Sequence, residues 1–393
     1  LAKSGLNKIR AHQRELKASD IEDSIKSIPP GEWCWLRHST IPQPLLAFLN
    51  PLVDEKFVSA YVLDLSGLKV EEITSPETLI KNKLSEAVAR RKRFVSYEQN
   101  ARLFYGVADG LPGLIADKFG DKIIVQINTA GIDRYRDFIK NCLEELTSAK
   151  VFFLDNQKYR EREFLPVFEN EAVPDITITE NDLRYHLRSE VMQKIGFYYD
   201  HRENRYQLIQ MMERLNHKFV HALDLFSYAG AWGLSALKGG AQKCTFVDQG
   251  DFETEVNTAL KMNGFLDNGS FVRSDVFKFL DDQISKKILF DLILCDPPAF
   301  AKSHLQKDQA LEGYSKLHKK VMKIAAPGAM VVFSSCTHYV GHEEFQKNIV
   351  DASYREGRML QLVYTGMQGW DHPVSSLMDR SNYIKSYFYI LEN

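Results

Sequence analysis

The sequence is poor in cysteine and has no long apolar run. Its 393 residues hold five cysteines, Cys34, Cys142, Cys244, Cys295 and Cys336, odd in number and scattered. They lack the paired spacing of a zinc site or a disulfide framework, so reduced thiols and no bound metal are expected. No stretch of about 18 apolar residues occurs, which argues against a membrane-spanning helix. The polar start LAKSGLNKIRAHQRELK contains no signal-peptide core, and a cytoplasmic protein is expected. A basic excess is missing too: 50 Lys and Arg stand against 52 Asp and Glu, for a formal net charge of -2. Any nucleic-acid partner must therefore be held by local patches.

What is present is a chain too long for one core, with two or three domains as the expectation. Residues 1–74 contain short β-like runs, GEWCWLRH, LLAFLN and KFVSAYVLDL, separated by Pro29-Pro30-Gly31, Pro42, Pro44 and Asn50-Pro51. A small β-rich domain is expected there. Residues 75–184 open with a helix-like segment, PETLIKNKLSEAVARRKRF, whose Arg90-Arg91-Lys92-Arg93 is either a solvated helix end or a phosphate contact. Strand candidates follow in ARLFYGVADGLPGLIADKFGDKIIVQIN, with Asp109-Gly110 and Gly120-Asp121 at turns. An amphipathic helix, DRYRDFIKNCLEEL, and the strand candidates KVFFLD and DITITENDLRYHLR complete a small α+β central domain.

Residues 185–393 read differently. The runs FVHALDLF, CTFVD, SFVRSD, LFDLILCDPP, AMVVFSSC and MLQLVYTG alternate with helical stretches, which predicts an α/β, mostly parallel, doubly wound sheet. In such a sheet the ligand crevice lies beyond the carboxyl ends of the strands. Asp224, Asp248 and Asp275 lie at or near the ends of the first three. Gly230 and Gly233 after the first allow a tight turn and close approach to the next helix. Three carboxylates would repel a pyrophosphate and suit a nucleoside ligand that carries positive charge.

These motifs, with ADGLPGLIADKFGD, QKIGFYYDHRENR, ALDLFSYAGAWGLSAL, CDPPAF, FSSCTH and DHPV followed by SNYIKSYFYI, run in an order that resembles one family. It is the class I, Rossmann-like S-adenosylmethionine-dependent methyltransferases that modify cytosine-5 in large-subunit (23S) ribosomal RNA. The resemblance implies a PUA-like N-terminal domain, S-adenosylmethionine as cofactor, ribosomal RNA as partner, no membrane and a homodimer. It implies that Asp224, Phe226, Tyr228, Gly230 and Gly233 form the cofactor loop, that Asp248 takes the ribose and that Asp275 lies by the adenine. Gln193, Lys194 and Arg202 in the lead-in, and Asp296, complete the expected cofactor set.

Asp296-Pro297-Pro298 ends the fourth strand and Cys336 the fifth, and neighbouring strands of this kind deliver both to one crevice. Cytosine carbon 5 is a poor nucleophile until a thiolate adds to carbon 6 and breaks the ring's aromaticity. Cys336 is therefore the expected nucleophile and Asp296 the group that steadies the pyrimidine, with Pro297, Pro298 and Phe300 as substrate contacts. Cys295 precedes Asp296 within the strand and should face the core. Two other readings remain: a nitrogen-directed methyltransferase using Asp296-Pro297-Pro298, and a non-catalytic RNA-binding protein that keeps the cofactor fold.

Overall fold

The computed structural model describes residues 1–22, 24–63, 75–94, 97, 100–155, 157–166, 172–192, 196–301, 303–374 and 381–392. The chain forms two compact units. The first comprises Leu1–Pro174, Gln193–Phe197 and Asp371–Ser381, and the second the remainder.

In the first unit, α1 (Lys3–Arg10) leads to β1 (Glu15–Leu16), β2 (Glu32–Leu36), β3 (Leu45–Leu49) and β4 (Ala60–Val62). These strands form an antiparallel sheet in the order β1-β4-β3-β2. Alternation turns Leu36, Leu45, Ala47, Leu49, Ala60, Val62 and Leu16 into one apolar cluster. Next comes α2 (Pro76–Arg91), started by Ser75, whose Oγ accepts from the Thr78 N–H at 3.2 Å, with Pro76 at the first helical position. A second sheet holds β5 (Asn100–Tyr105), β6 (Leu114–Phe119), β7 (Lys122–Ile127) and β8 (Lys150–Phe153) in that order. The first three are antiparallel, and β8 joins β7 in parallel after α3 (Ala130–Asp133) and α4 (Arg136–Thr147). The short α5 (Gln157–Arg162) follows.

The basic run at the end of α2 divides. Arg91 is buried and grips Asp109 with two bonds, 2.7 and 2.6 Å, while its Nε donates to the Arg102 carbonyl. Arg90 reaches the same carboxylate at 2.7 Å. Arg91 is thereby withdrawn from the surface, whereas Lys92 and Arg93 are exposed and the Arg90 side chain stays 42% exposed.

The second unit opens with β9 (Ile176–Glu180) and β10 (Leu183–Leu187), an antiparallel hairpin turned by Asn181 and Asp182, both with positive φ. Its main sheet has seven strands: β11 (His221–Leu225), β12 (Lys243–Asp248), β13 (Gly269–Arg273), β14 (Phe290–Cys295), β15 (Ala325–Ser335), β16 (Met359–Gly366) and β17 (Lys385–Glu392). Their order is β13-β12-β11-β14-β15-β17-β16. The first five run parallel, and β17 lies antiparallel between β15 and β16, so the sheet is mixed. The helices are α6 (Arg202–Arg214), α7 (Ala231–Lys238), α8 (Glu253–Met262), α9 (Val276–Lys286), α10 (Lys307–Ile324) and α11 (His342–Arg355). Leu223, Leu225, Ile293, Cys295, Val331 and Phe333 share one core with apolar residues of α9, α10 and α11. Period-two alternation therefore turns Asp224 away from that core. No helix among the described residues is long and apolar enough to cross a membrane.

Candidate active site

The ends of β11, β12, β14 and β15 carry the polar residues of the site. After β11 the chain makes a strained loop: Phe226 and Tyr228 have φ of 62° and 47°, and Gly230 has φ of 79°. Left-handed backbone at two aromatic residues costs roughly 1–3 kcal/mol each and needs fixed surroundings. Those surroundings are visible. Asp248, ending β12, accepts from the Tyr228 N–H at 3.0 Å and the Gly250 N–H at 2.8 Å. Tyr228 also packs edge-on against Phe252 and Tyr198.

Asp224 is buried in β11, and its Oδ2 accepts from the Gly233 N–H at 2.8 Å. Its Oδ1 is buried with no hydrogen-bond partner. Burial pushes this carboxyl well above its ordinary value; the Gly233 bond opposes the rise, and Asp296 and Asp248 add to it. Three carboxylates thus feel one another at this end of the sheet. The smallness of Gly233 has a packing cause, since a Cβ there would lie 2.2 Å from the Phe246 ring.

Asp296 follows β14. Its Oδ2 accepts from Trp232 Nε1 at 3.1 Å and lies 3.5 Å from His201 Nε2. His201 Nδ1 in turn meets Asn204 Nδ2 at 3.1 Å, while the buried Nε2 makes no hydrogen bond. Pro297 is buried, Pro298 exposed, and Phe300 stacks on Tyr314 of α10 with ring centroids 4.6 Å apart.

Cys336 lies one residue past β15 and is half-buried. The β14–β15 register sets Cys295 opposite Phe333, so β15 runs two residues past the end of β14, and Asp296 and Cys336 follow these neighbouring parallel strands at the same end of the sheet. Tyr198 couples the parts: burial raises its hydroxyl, and Asp200, Cys336, Asp296 and Asp248 push the same way. Cys295, by contrast, is buried in the core, and burial drives its thiol well up.

The other sequence candidates lie as follows. Asp275 is exposed and caps α9, its Oδ1 accepting from the Lys278 N–H at 3.0 Å. Arg202 is buried, 3.8 Å from Glu180, with its guanidinium over the rings of Tyr199 and Trp370. Gln193 and Lys194 lie outside the described residues. Sequence reasoning missed Tyr198, His201, Trp232 and Lys385 near the site. All four sat in quoted motifs, yet nothing local pointed Trp232 at a carboxylate 64 residues away. Among the described residues no group of His, Cys, Asp and Glu could hold a metal ion.

Comparison with known proteins decides the family. The model of the S-adenosylmethionine-dependent methyltransferases matches residues 102–363. A ribosomal RNA large subunit methyltransferase I of Aeromonas salmonicida is 32% identical over 294 residues, 72% of either chain. The chain belongs to the S-adenosylmethionine-dependent methyltransferases. Within this methyltransferase family, the protein of the same name from Photobacterium profundum is 31% identical over 77% of this chain and 76% of its own. A solved structure from Streptococcus mutans, titled as a methyltransferase of this kind, superposes with a TM-score of 0.78 at 20% identity, covering 99% of this chain and 98% of its own. That likeness shows the shared fold. The methyl donor of the family, and of this chain, is S-adenosylmethionine.

Proposed function

We propose that the chain methylates carbon 5 of a cytidine in large-subunit ribosomal RNA, with Cys336 as nucleophile. The observation that carries this reading is that β14 and β15 are neighbouring parallel strands, followed at the same end of the sheet by a carboxylate and a half-buried thiol. The names of the curated relatives support the RNA class, and the motif order supports the cytosine-5 group.

The residues present fit the donor. A buried, unpartnered Asp224 oxygen amid further carboxylates suits a ligand that bears an ammonium and a sulfonium. Asp224, Asp248, Asp296 and the loop of Phe226, Tyr228, Gly230 and Gly233 would hold it, with Asp275 at the adenine end and Gln193, Lys194 and Arg202 from the lead-in. When bound, S-adenosylmethionine supplies an electrophilic methyl group.

Cys336 as thiolate adds to carbon 6 of the pyrimidine, and the electrons of the broken double bond make carbon 5 nucleophilic. Asp296, held by Trp232 and faced by His201, steadies the ring nitrogen and amino group as charge develops there, and Pro297, Pro298 and Phe300 bound the base. Once carbon 5 carries the methyl, its proton leaves, the carbon–sulfur bond breaks and the thiolate returns. In the same reading, residues 1–74 are a PUA-like domain and 75–184 a central domain, and a base splayed out of structured RNA is the substrate. The protein acts in the cytoplasm as a homodimer.

The test is transfer of labelled methyl to unmodified large-subunit ribosomal RNA, followed by digestion to nucleosides. Label in 5-methylcytidine is expected. Label on an exocyclic or amide nitrogen overturns the reading, and so does the absence of transfer to RNA.

A further inference from the structure

Lys385 opens β17 and is only 2% exposed. A lysine so deep in a protein needs partners, because removing its charge from water is costly. Two are carbonyls: Nζ donates to Thr337 O at 2.7 Å and to Tyr383 O at 2.8 Å. The first follows Cys336 directly. In the β15–β17 ladder, Lys385 also pairs with Ser335, the residue before Cys336. One residue thus holds the chain on both sides of the thiol, by its backbone ahead and its side chain behind.

The clamp is reinforced. Ser334 Oγ bonds Ser386 Oγ at 2.9 Å, Ser335 Oγ meets the Tyr314 hydroxyl at 3.0 Å, and Thr337 Oγ1 donates to Ala301 O at 3.2 Å. An ammonium has three protons, and the two carbonyls account for two of them.

We propose that Lys385 is a positioning residue for methyl transfer, which fixes the turn carrying Cys336 and, by its charge, favours the thiolate. The proposal rests on the reading of Cys336 as nucleophile and adds the source of its activation. A hydrophobic residue would suffice to fill this place, and hydroxyl side chains would suffice to tie the turn. A buried cation beside a thiol has the further effect of making the anion cheaper to form.

The groups near this pair include Tyr198 ahead of α6, Asp296 after β14, Tyr314 on α10, His342 on α11 and His338, whose ring lies 5.1 Å from that of Tyr383. Tyr198 and Tyr314 are kept neutral by burial, and burial with the nearby Lys385 lowers His342. Asp296 opposes a second anion, and the buried Lys385 cation favours it. Burial lowers Lys385 to about 8, while interaction with Cys336 raises it. Its charge is therefore present below about 8 and fades above, the window in which a cytoplasmic thiol needs help.

The experiment is peptide-resolved alkylation of Cys336 by iodoacetamide from pH 5.5 to 10 in the full chain, without RNA. The wild-type midpoint should lie below the ordinary thiol value of about 8.5. Lys385→Met and Lys385→Gln should raise it by about one unit or more, slowing alkylation at pH 7 about tenfold. Lys385→Arg, which keeps the charge, should restore most of the shift. Protection of Cys295 reports an intact core in each variant. An unchanged midpoint in the uncharged variants overturns the proposal, as does an equal shift in Lys385→Arg. If both uncharged variants expose Cys295, the wild-type midpoint decides, and a value at or above about 8.5 overturns it. Methyl transfer retained by Cys336→Ala would remove the nucleophile reading without altering these profiles, so the two failures are separable.

Discussion

Replacing Asp224 by asparagine should make the protein more stable and a poorer binder of its cofactor. The carboxylate is buried, keeps only the Gly233 N–H on Oδ2, and has Oδ1 unpartnered. Asparagine can still accept from Gly233 through its carbonyl oxygen, and although its amide nitrogen takes the unpartnered place, the buried charge disappears. A buried, unsatisfied polar group costs about 1–3 kcal/mol, and more when charged. At pH 8 a gain of about 1–3 kcal/mol would raise Tm by roughly 2–10 °C for a unit of this size. The sign depends on pH. A folded carboxyl raised above its unfolded value leaves stability intact below the unfolded value and loses it as pH climbs towards the folded one. The gain from asparagine should therefore be smaller at pH 5 than at pH 8. For the ligand the effect reverses, because the charged contact to its ammonium is lost, about 1.5–3 kcal/mol or roughly 10–150-fold in Kd. Thermal unfolding at both pH values and calorimetry with S-adenosylhomocysteine read out the two halves. A lower Tm with unaltered affinity would refute the reasoning, since it would make Asp224 a structural carboxylate.

Asp248→Ala should weaken S-adenosylhomocysteine binding tenfold or more and lower Tm by a few degrees, because its oxygens also hold the Tyr228 and Gly250 turns; an unchanged Kd by calorimetry would sink its role. Trp232→Phe keeps the ring and removes the bond to Asp296, so methyl-transfer assays should show kcat lowered about fivefold, with the cofactor Kd little changed. Arg91→Ala should destabilise the protein by about 3–5 kcal/mol in urea unfolding, since it strips buried Asp109 of its bidentate partner. RNA affinity should fall only gently with salt, and Lys92→Ala with Arg93→Ala should flatten the log–log slope by no more than about 2 if those exposed residues touch phosphate.

Much of this was legible in short windows of sequence. The β-branched runs of β11 to β15 and their acidic or thiol ends are local features, and alternation alone assigned Cys295 to the core. The polar ends of β14 and β15 could be read because adjacency of parallel strands follows from the alternation of strands and helices. What escaped depends on distant partners. SNYIKSYFYI was visible as a motif, yet nothing local says that β17 inserts antiparallel between β15 and β16. No sequence feature signals that the Trp232 indole donates to Asp296. The run Arg90-Arg91-Lys92-Arg93 read as either a solvated helix end or a phosphate contact, and the bidentate grip of Arg91 on Asp109 was not legible because Asp109 lies beyond the helix. Asp275 also caps α9, a role that its place between a strand and a helix allows.

The central claim is that Cys336 bonds to the target base, and the most direct measurement uses target RNA bearing 5-fluorocytidine. Fluorine cannot leave as a proton does, so after methyl transfer the thiol cannot be eliminated and the protein stays covalently attached. A slow-migrating protein–RNA adduct should form with S-adenosylmethionine, disappear without it, and be absent from Cys336→Ala, which should still bind S-adenosylhomocysteine. Cys295→Ala should form the adduct as the wild type does. Methylation by Cys336→Ala at near wild-type rate, or an adduct that maps to another residue, would contradict the account.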